Sequence, residues 1–285
     1  MLNTVKDKIA EIKSELAYRS ALLNHARNLP ALEQRDRLIL NHLKQEGVYV
    51  TSLEELGLNS ASNLLQAAES QLSRMETPND SHAGQRLPQI YTVTDLPEFS
   101  TWATETRLLN IIENYIGLPV AFQGVHLRKD FPNENQFGTL LWHKDSEDRR
   151  IIKIFLYLSD VEEKHGPFEY VPLPLTSVYS LNYYRIYYKL WQSGYLGVND
   201  DTLNEIIPKS AWKPCPGPAG TVIFVDTKSV LHHGTLRTEE RSALFFVYTA
   251  HPPKRPELCT QYWDESFARP ELRSSTVLTK VGSGE

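Results

Sequence analysis

The sequence is poor in sulfur, has no long apolar run and shows no excess of basic charge. Its two cysteines, Cys215 and Cys259, stand far apart in 285 residues. Neither a disulfide framework nor a cysteine metal site is therefore expected. No stretch approaches the roughly 20 apolar residues that a membrane-crossing helix needs. The opening MLNTVKDKIAEIKSEL mixes both charge signs and lacks the apolar core of a secretory signal. A reducing, cytoplasmic location is the expectation. Thirty Lys and Arg against 35 Asp and Glu give a net charge of −5, so the basic footprint of a nucleic-acid binder is missing. Internal repeats and low-complexity tracts are absent as well. What remains is ordinary globular usage, with 41% hydrophobic residues, enough for a sizeable core. A barrel or sandwich of this length is commonly one domain, and a single domain over 1–285 is expected.

The first part of the chain, 1–118, reads as helical support. Val5, Ile9, Ile12 and Leu16 recur at helical spacing. A second helix is expected over Asp36–Glu46, stopped by Gly47, with Val48–Thr51 as a strand. Asn59-Ser60 would cap a helix carrying Leu64, Leu65, Ala68 and Leu72. Thr77–Pro88 reads as a loop. One further helix is expected over Phe99–Ile116, ended by Gly117. After Pro119 the pattern changes to short β-branched and aromatic runs: VAFQGVHL, FGTLLWH, IIKIFLYL, FEYVP, TVIFVD and ALFFVYT. The expectation is a mainly β fold, a double-stranded β-helix of the jelly-roll or cupin type over 119–250 with helices outside. An aromatic insertion at 175–212 interrupts the strands, and 251–285 is a C-terminal extension. The Val178–Tyr195 part of the insertion, rich in Tyr and Trp, has the position and length of a lid.

Chemistry concentrates in Leu140–Val161, LLWHKDSEDRRIIKIFLYLSDV. If Thr139–Asp145 is extended, His143 and Asp145 share one face, with Trp142 and Lys144 on the other. A His and a carboxylate two apart at a strand end make a chelating pair. Farther on, GTVIFVDTKSVLHHG places His232 and His233 after a strand. Arg241 then opens another strand, sharing a face with Ala243, Phe245 and Val247. An Arg on a core face wants a carboxylate partner. Two His and one carboxylate with open positions form the facial triad of non-haem Fe(II) oxygenases.

In these motifs the chain resembles the phytanoyl-CoA dioxygenase family of Fe(II)/2-oxoglutarate-dependent oxygenases. The matching features are His143-Lys144-Asp145, IIKIFLYLSDV, His165-Gly166-Pro167 with FEYVP, GTVIFVDT, and LHHG followed by Arg241. The resemblance covers roughly 120–249. It implies that His143, Asp145 and His232, rather than His233, ligate iron, and that Arg241 grips the distal carboxylate of 2-oxoglutarate. Lys153 and Tyr157, which share a face with Phe155, would be further cosubstrate contacts. It also implies O2 as a reactant, a small-molecule substrate whose C–H bond is hydroxylated or otherwise oxidised, and succinate and CO2 as products. Asp145 fills the position that related halogenases leave to chloride, which favours oxygenation. The chain departs from the family at Val171-Pro172-Leu173-Pro174, where members carry a Gly-containing turn. His126 reads as a structural histidine; Arg128 either reaches the pocket or, with the neighbouring Lys129 and Asp130, belongs to a solvated strand end. His82 and His251 read as surface residues. The competing readings are another metal enzyme on a cupin-like barrel and a silent small-molecule-binding protein.

Overall fold

The structure is a computed structural model describing residues 2–75 and 86–270, with the side chains of residues 2–7 outside that description. The Val5 side chain, His82 and most of the Thr77–Pro88 loop therefore lie outside that description. Helix α1 (Leu2–His25) forms as expected, but Ile9, Ile12 and Leu16 face solvent. Polar side chains hold it instead: Arg149 Nε donates to Glu15 at 2.7 Å, and His25 Nε2 lies 2.8 Å from Glu113. Periodicity identifies an apolar stripe but not whether a neighbour covers it.

Helix α2 (Gln34–Glu46) ends at Gly47, whose φ of +79° favours glycine and whose N–H closes on Leu43 O at 2.9 Å. After the short α3 (Leu53–Leu56) comes α4 (Ala61–Leu72). The Ser60 side chain does not cap α4. The helix expected over Phe99–Ile116 is two: α5 (Pro97–Ala103) and α6 (Thr106–Ile116). The break is at Thr104-Glu105, where the Glu105 carboxylate accepts from Ser60 N–H at 3.0 Å. Leu108, Ile112, Tyr115 and Ile116 are buried and Leu109 is half-buried.

Two antiparallel sheets carry the rest. The larger orders β1 (Val48–Ser52), β7 (Thr221–Asp226), β4 (Ile152–Tyr157), β9 (Arg241–Ala250), β3 (Val120–Asp130) and β2 (Gln89–Thr92). The smaller orders β6 (Lys213–Cys215), β5 (Phe168–Val171) and β8 (Leu231–Gly234). This is the two-sheet arrangement that the jelly-roll expectation requires, although the sheets do not close into a barrel among the described strands. Helix outweighs strand, so the class is mixed rather than mainly β. The helical first part also lends β1 and β2 to the large sheet. FGTLLWH is not a strand: Gly138–Leu140 is a 3-10 turn, and Trp142 and His143 make only isolated bridges. Both cysteines are free and buried, and no described helix is long and apolar enough to cross a membrane.

The pleat of the large sheet divides its residues. Val125, Leu127, Ile154, Leu156, Phe224 and Phe246 pack against the helices. Lys153, Phe155, Tyr157, Arg241 and Phe245 point the other way, into the gap facing the small sheet. On β3 the register shifts between Phe122 and Gly124. Gly124 has φ +142°, and a Cβ there would stand 2.6 Å from Thr94 Oγ1 and Tyr262 Cβ. The bulge leaves His126 and Arg128 facing the gap beyond it.

The aromatic insertion folds as α7 (Leu173–Thr176), α8 (Asn182–Gln192) and α9 (Asp200–Asn204). Helix α8 docks through Ile186 and Leu190 onto Trp142, Val198 and Trp212. Tyr184, Tyr187, Tyr188 and Trp191 face solvent, and none of the insertion lines the cavity between the sheets. The lid expectation is therefore corrected: the two apolar side chains, not the tyrosines, choose the docking face. Ile186→Ala and Leu190→Ala should each cost about 2–5 kcal/mol in denaturant unfolding. Tyr184→Ala and Trp191→Ala should stay within about 0.5 kcal/mol of wild type.

Candidate metal and cosubstrate site

His143 and His232 come together through backbone geometry. His143 N–H donates to His232 O at 3.0 Å and His232 N–H to His143 O at 3.1 Å. This antiparallel pair sets the two rings side by side, 4.4 Å between centroids. Asp145 is placed by its N–H, which donates to Thr227 O at 2.9 Å. Its carboxylate lies 3.8 Å from His143 Nε2 and 4.0 Å from His232 Nε2. Candidate ligand atoms of all three residues fall within 4.8 Å of one another.

The second nitrogen of each ring is occupied. His143 Nδ1 lies 2.7 Å from Leu141 O, and His232 Nδ1 lies 3.2 Å from Val230 O. A carbonyl only accepts, so Nδ1 carries the proton and Nε2 keeps its lone pair toward the cluster. Burial lowers the pKa of both rings, that of His232 to about 3. Asp145 is held below the usual carboxylate range: burial works against ionisation, but Lys153, His232 and His143 outweigh it. Its Oδ2 is buried 2.7 Å from Lys153 Nζ, a close ion pair. Two neutral imidazoles and an ionised carboxylate fit a divalent metal.

His233 faces away. It stacks on Trp142 at 3.8 Å, and its two nitrogens lie 2.9 Å from Leu140 O and 2.9 Å from Glu169. Lys144, on the opposite side from His143, donates to Ser229 O at 2.6 Å. Alternation at His-Lys-Asp thus sends the middle charge to a structural partner.

The expected cosubstrate contacts are differently engaged. Lys153 pairs with Asp145 and, at 3.2 Å, with Glu147. The Tyr157 hydroxyl donates to Cys215 O at 2.9 Å and accepts Phe168 N–H at 3.0 Å. Both line the cavity, with two of the three Lys153 N–H bonds and the Tyr157 hydroxyl already given protein partners. Arg241 also lines it, buried, and its fork is held by Asp130 Oδ2 at 2.8 Å and by Gly166 O. Gly166 has φ +67°, and a Cβ there would meet Thr235 O at 2.5 Å. Its backbone reaches Arg241 because it has no side chain. Asp130 is not a solvated strand end: Arg128 and Arg237 bind it as well, at 2.7 and 3.0 Å. Burial would raise its pKa, but Arg128, Arg241 and Arg237 hold it well below the carboxylate range.

Sequence reasoning missed this cluster, because nothing local pairs Asp130 with Arg237. It also gave no role to Asp226, which accepts from Tyr115 Oη at 2.6 Å and from the N–H groups of Lys228 and Ser229. Asp226 shapes the turn that delivers β8 and His232. The signal was present in Asp-Thr-Lys-Ser, an Asx-turn pattern.

The cavity measures about 350 Å³, within the range of small-ligand sites. Gln261, Tyr262 and Phe267 of the C-terminal segment cover one wall. His126 packs between the rings of Tyr262 and Phe267 at 4.7 and 4.8 Å, its Nε2 3.2 Å from Gln261 O. Burial pushes its pKa down to about 4. Both His126 and His232 are thus less basic than the free ring near 6.5, and the unfolded chain binds more protons between about pH 6.5 and 4. Metal-free stability should fall as pH falls through that window, by up to about 1.4 kcal/mol per pH unit for each ring. Urea midpoints at pH 7 and pH 5 check this, and equal midpoints would contradict it.

No family model matches the chain, and no curated protein matches it. Solved structures do. The iron-bound EctD from S. alaskensis superposes with a TM-score of 0.54 at 16% identity, over 79% of this chain and 79% of that one. HygX from Streptomyces hygroscopicus, with nickel, 2-oxoglutarate and hygromycin B bound, gives 0.51 at 19% identity, over 75% and 87% of the two chains. SnoN, a non-heme alpha-ketoglutarate-dependent epimerase from nogalamycin biosynthesis, gives 0.50 at 15%, over 76% and 83%. Likeness at such identities speaks to architecture: the chain has the fold of the Fe/2-oxoglutarate-dependent enzymes.

Proposed function

We propose that this protein is an Fe(II)/2-oxoglutarate-dependent dioxygenase of the phytanoyl-CoA dioxygenase type, oxidising a C–H bond of a small-molecule metabolite and releasing succinate and CO2. The observation that carries the reading is the convergence of His143, Asp145 and His232 in one cavity with Arg241. His143 and His232 would hold the metal through Nε2 and Asp145 through its carboxylate, with the Leu141 and Val230 carbonyls fixing the rings. Iron with 2-oxoglutarate and O2 supplies the oxidising chemistry. Arg241 would orient the cosubstrate: Asp130 and Gly166 hold three of its N–H bonds and leave two for a carboxylate fork. The apolar wall of Phe155, Phe168 and Phe245 would exclude water from the reacting groups.

That Asp130 satisfies Arg241 removes one argument from sequence, since a buried Arg no longer demands a keto acid. The excess of arginines over carboxylates at that wall restores it. SnoN is an epimerase, so the fold itself does not select hydroxylation. Succinate release from 2-oxoglutarate, followed with Fe(II)-loaded protein against a panel of small metabolites, tests the proposal. Protein that binds both metal and cosubstrate yet never releases succinate would refute it.

A further inference from the structure

Three guanidinium groups meet one carboxylate at one wall of the cavity. Asp130 accepts from Arg128 Nε at 2.7 Å, Arg237 Nη1 at 3.0 Å and Arg241 Nη2 at 2.8 Å. Among the described residues, two positive charges of this cluster have no carboxylate counterpart. Across the cavity Lys153 faces Asp145 and Glu147, one positive charge against two negative. Taken together, four cationic side chains stand against three carboxylates. A divalent metal and a dianionic dicarboxylate cancel one another. Loading the site as proposed above therefore leaves one positive charge among these Arg, Lys, Asp and Glu side chains unmatched. An unmatched charge in a poorly solvated cavity is costly unless an anion meets it.

The unmatched charge is most accessible at Arg128. Its side chain is 14% exposed, against 1% for Arg237 and 5% for Arg241. Nε is committed to Asp130 and Nη2 donates to Thr139 Oγ1 at 3.0 Å. Among the described residues, three of its five guanidinium N–H bonds are left without a protein acceptor. Its guanidinium carbon stands 5.7 Å from the centroid of Phe245. The same cavity presents the rings of Tyr262 and Phe267. The wall thus combines one free cation with aromatic surface, the chemistry that recognises an anionic group on an apolar body.

We propose, building on the function above, that the substrate is a small organic monoanion with an aromatic or other apolar body. Arg128 binds the anionic group, and Phe245, Tyr262 and Phe267 hold the body. Arg128 is then a specificity-determining residue, separate from the cosubstrate anchor Arg241.

The test uses the full chain loaded with nickel and saturating 2-oxoglutarate, titrated calorimetrically with 3-phenylpropionate and with its neutral isostere 3-phenylpropionamide. The acid should bind at least tenfold more tightly than the amide, about 1.4 kcal/mol. Arg128→Gln should bring the two within about twofold, and Arg128→Lys should keep part of the preference; melting temperatures report whether each variant is folded. Equal binding of acid and amide to wild type overturns the proposal, as does a preference that survives in Arg128→Gln. Competition between the acid and 2-oxoglutarate also overturns it, since the anion would then occupy the Arg241 site. A different pattern isolates failure of the underlying function: 2-oxoglutarate does not bind the nickel protein, while the acid preference persists and depends on Arg128. In that case the anion site stands and the oxygenase reading falls.

Discussion

His143→Ala should abolish the weak visible charge-transfer band that wild-type protein develops on anaerobic titration with Fe(II) and 2-oxoglutarate. The ring supplies one of two neutral nitrogens, and its Nδ1 contact with Leu141 O aims Nε2 into the cluster. Losing a partner that merely orients a ligand costs roughly 10–100-fold in metal affinity, so losing the ligand itself should cost more than about 100-fold. His232→Ala should behave alike, because backbone hydrogen bonds tie the two residues together and their rings face the same carboxylate. His233→Ala should act differently. Its ring is buried against Trp142 and Glu169, so removal leaves the Glu169 carboxylate without its donor and costs about 1–3 kcal/mol of stability. The folded fraction should keep the band. A band that survives His143→Ala but disappears in His233→Ala would move the metal site to the other histidine.

Arg241→Leu should weaken 2-oxoglutarate binding by about 2–5 kcal/mol, roughly 30-fold to several thousand-fold, as for truncation of a buried, hydrogen-bonded charge pair. Folding should survive the change, since Asp130 keeps Arg128 and Arg237 as partners. Metal affinity without cosubstrate should change little, because Arg241 contacts none of the three candidate ligands. Cosubstrate affinity equal to wild type would place the carboxylate anchor elsewhere, with Arg237 the next residue to test on the same cluster.

Legibility followed the range of the interaction. The His-Lys-Asp triplet was readable because alternation is local: two residues along an extended backbone return to the same side. That reading held even though the strand it assumed is only an isolated bridge, since His143 and Asp145 need extended geometry rather than a ladder. The faces of β4 and β9 were readable for the same reason. The Phe99–Ile116 helix was misread as continuous because its break at Glu105 answers a partner 45 residues away, at Ser60. The exposed stripe of α1 and the outward tyrosines of α8 were misplaced for a related reason. Apolar and aromatic composition states what a face can bury, and only a neighbour decides whether it is buried.

The sequence by itself determined the strand-rich core after Pro119, the side on which each residue of β4 and β9 stands, and the candidate ligand pair His143 and Asp145. It did so because side-chain alternation and glycine-ended helices are properties of the adjacent backbone. Tertiary structure alone decided which histidine of LHHG joins the cluster in space, through the His143–His232 backbone pair. It alone assembled Arg128, Arg237 and Arg241 on Asp130. It alone tied up Lys153 and Tyr157, and it brought Tyr262 and Phe267 over the cavity. Each of these is a contact between residues distant in the chain. Charge pairing and hydrogen bonding act through space, and no spacing along the sequence encodes them.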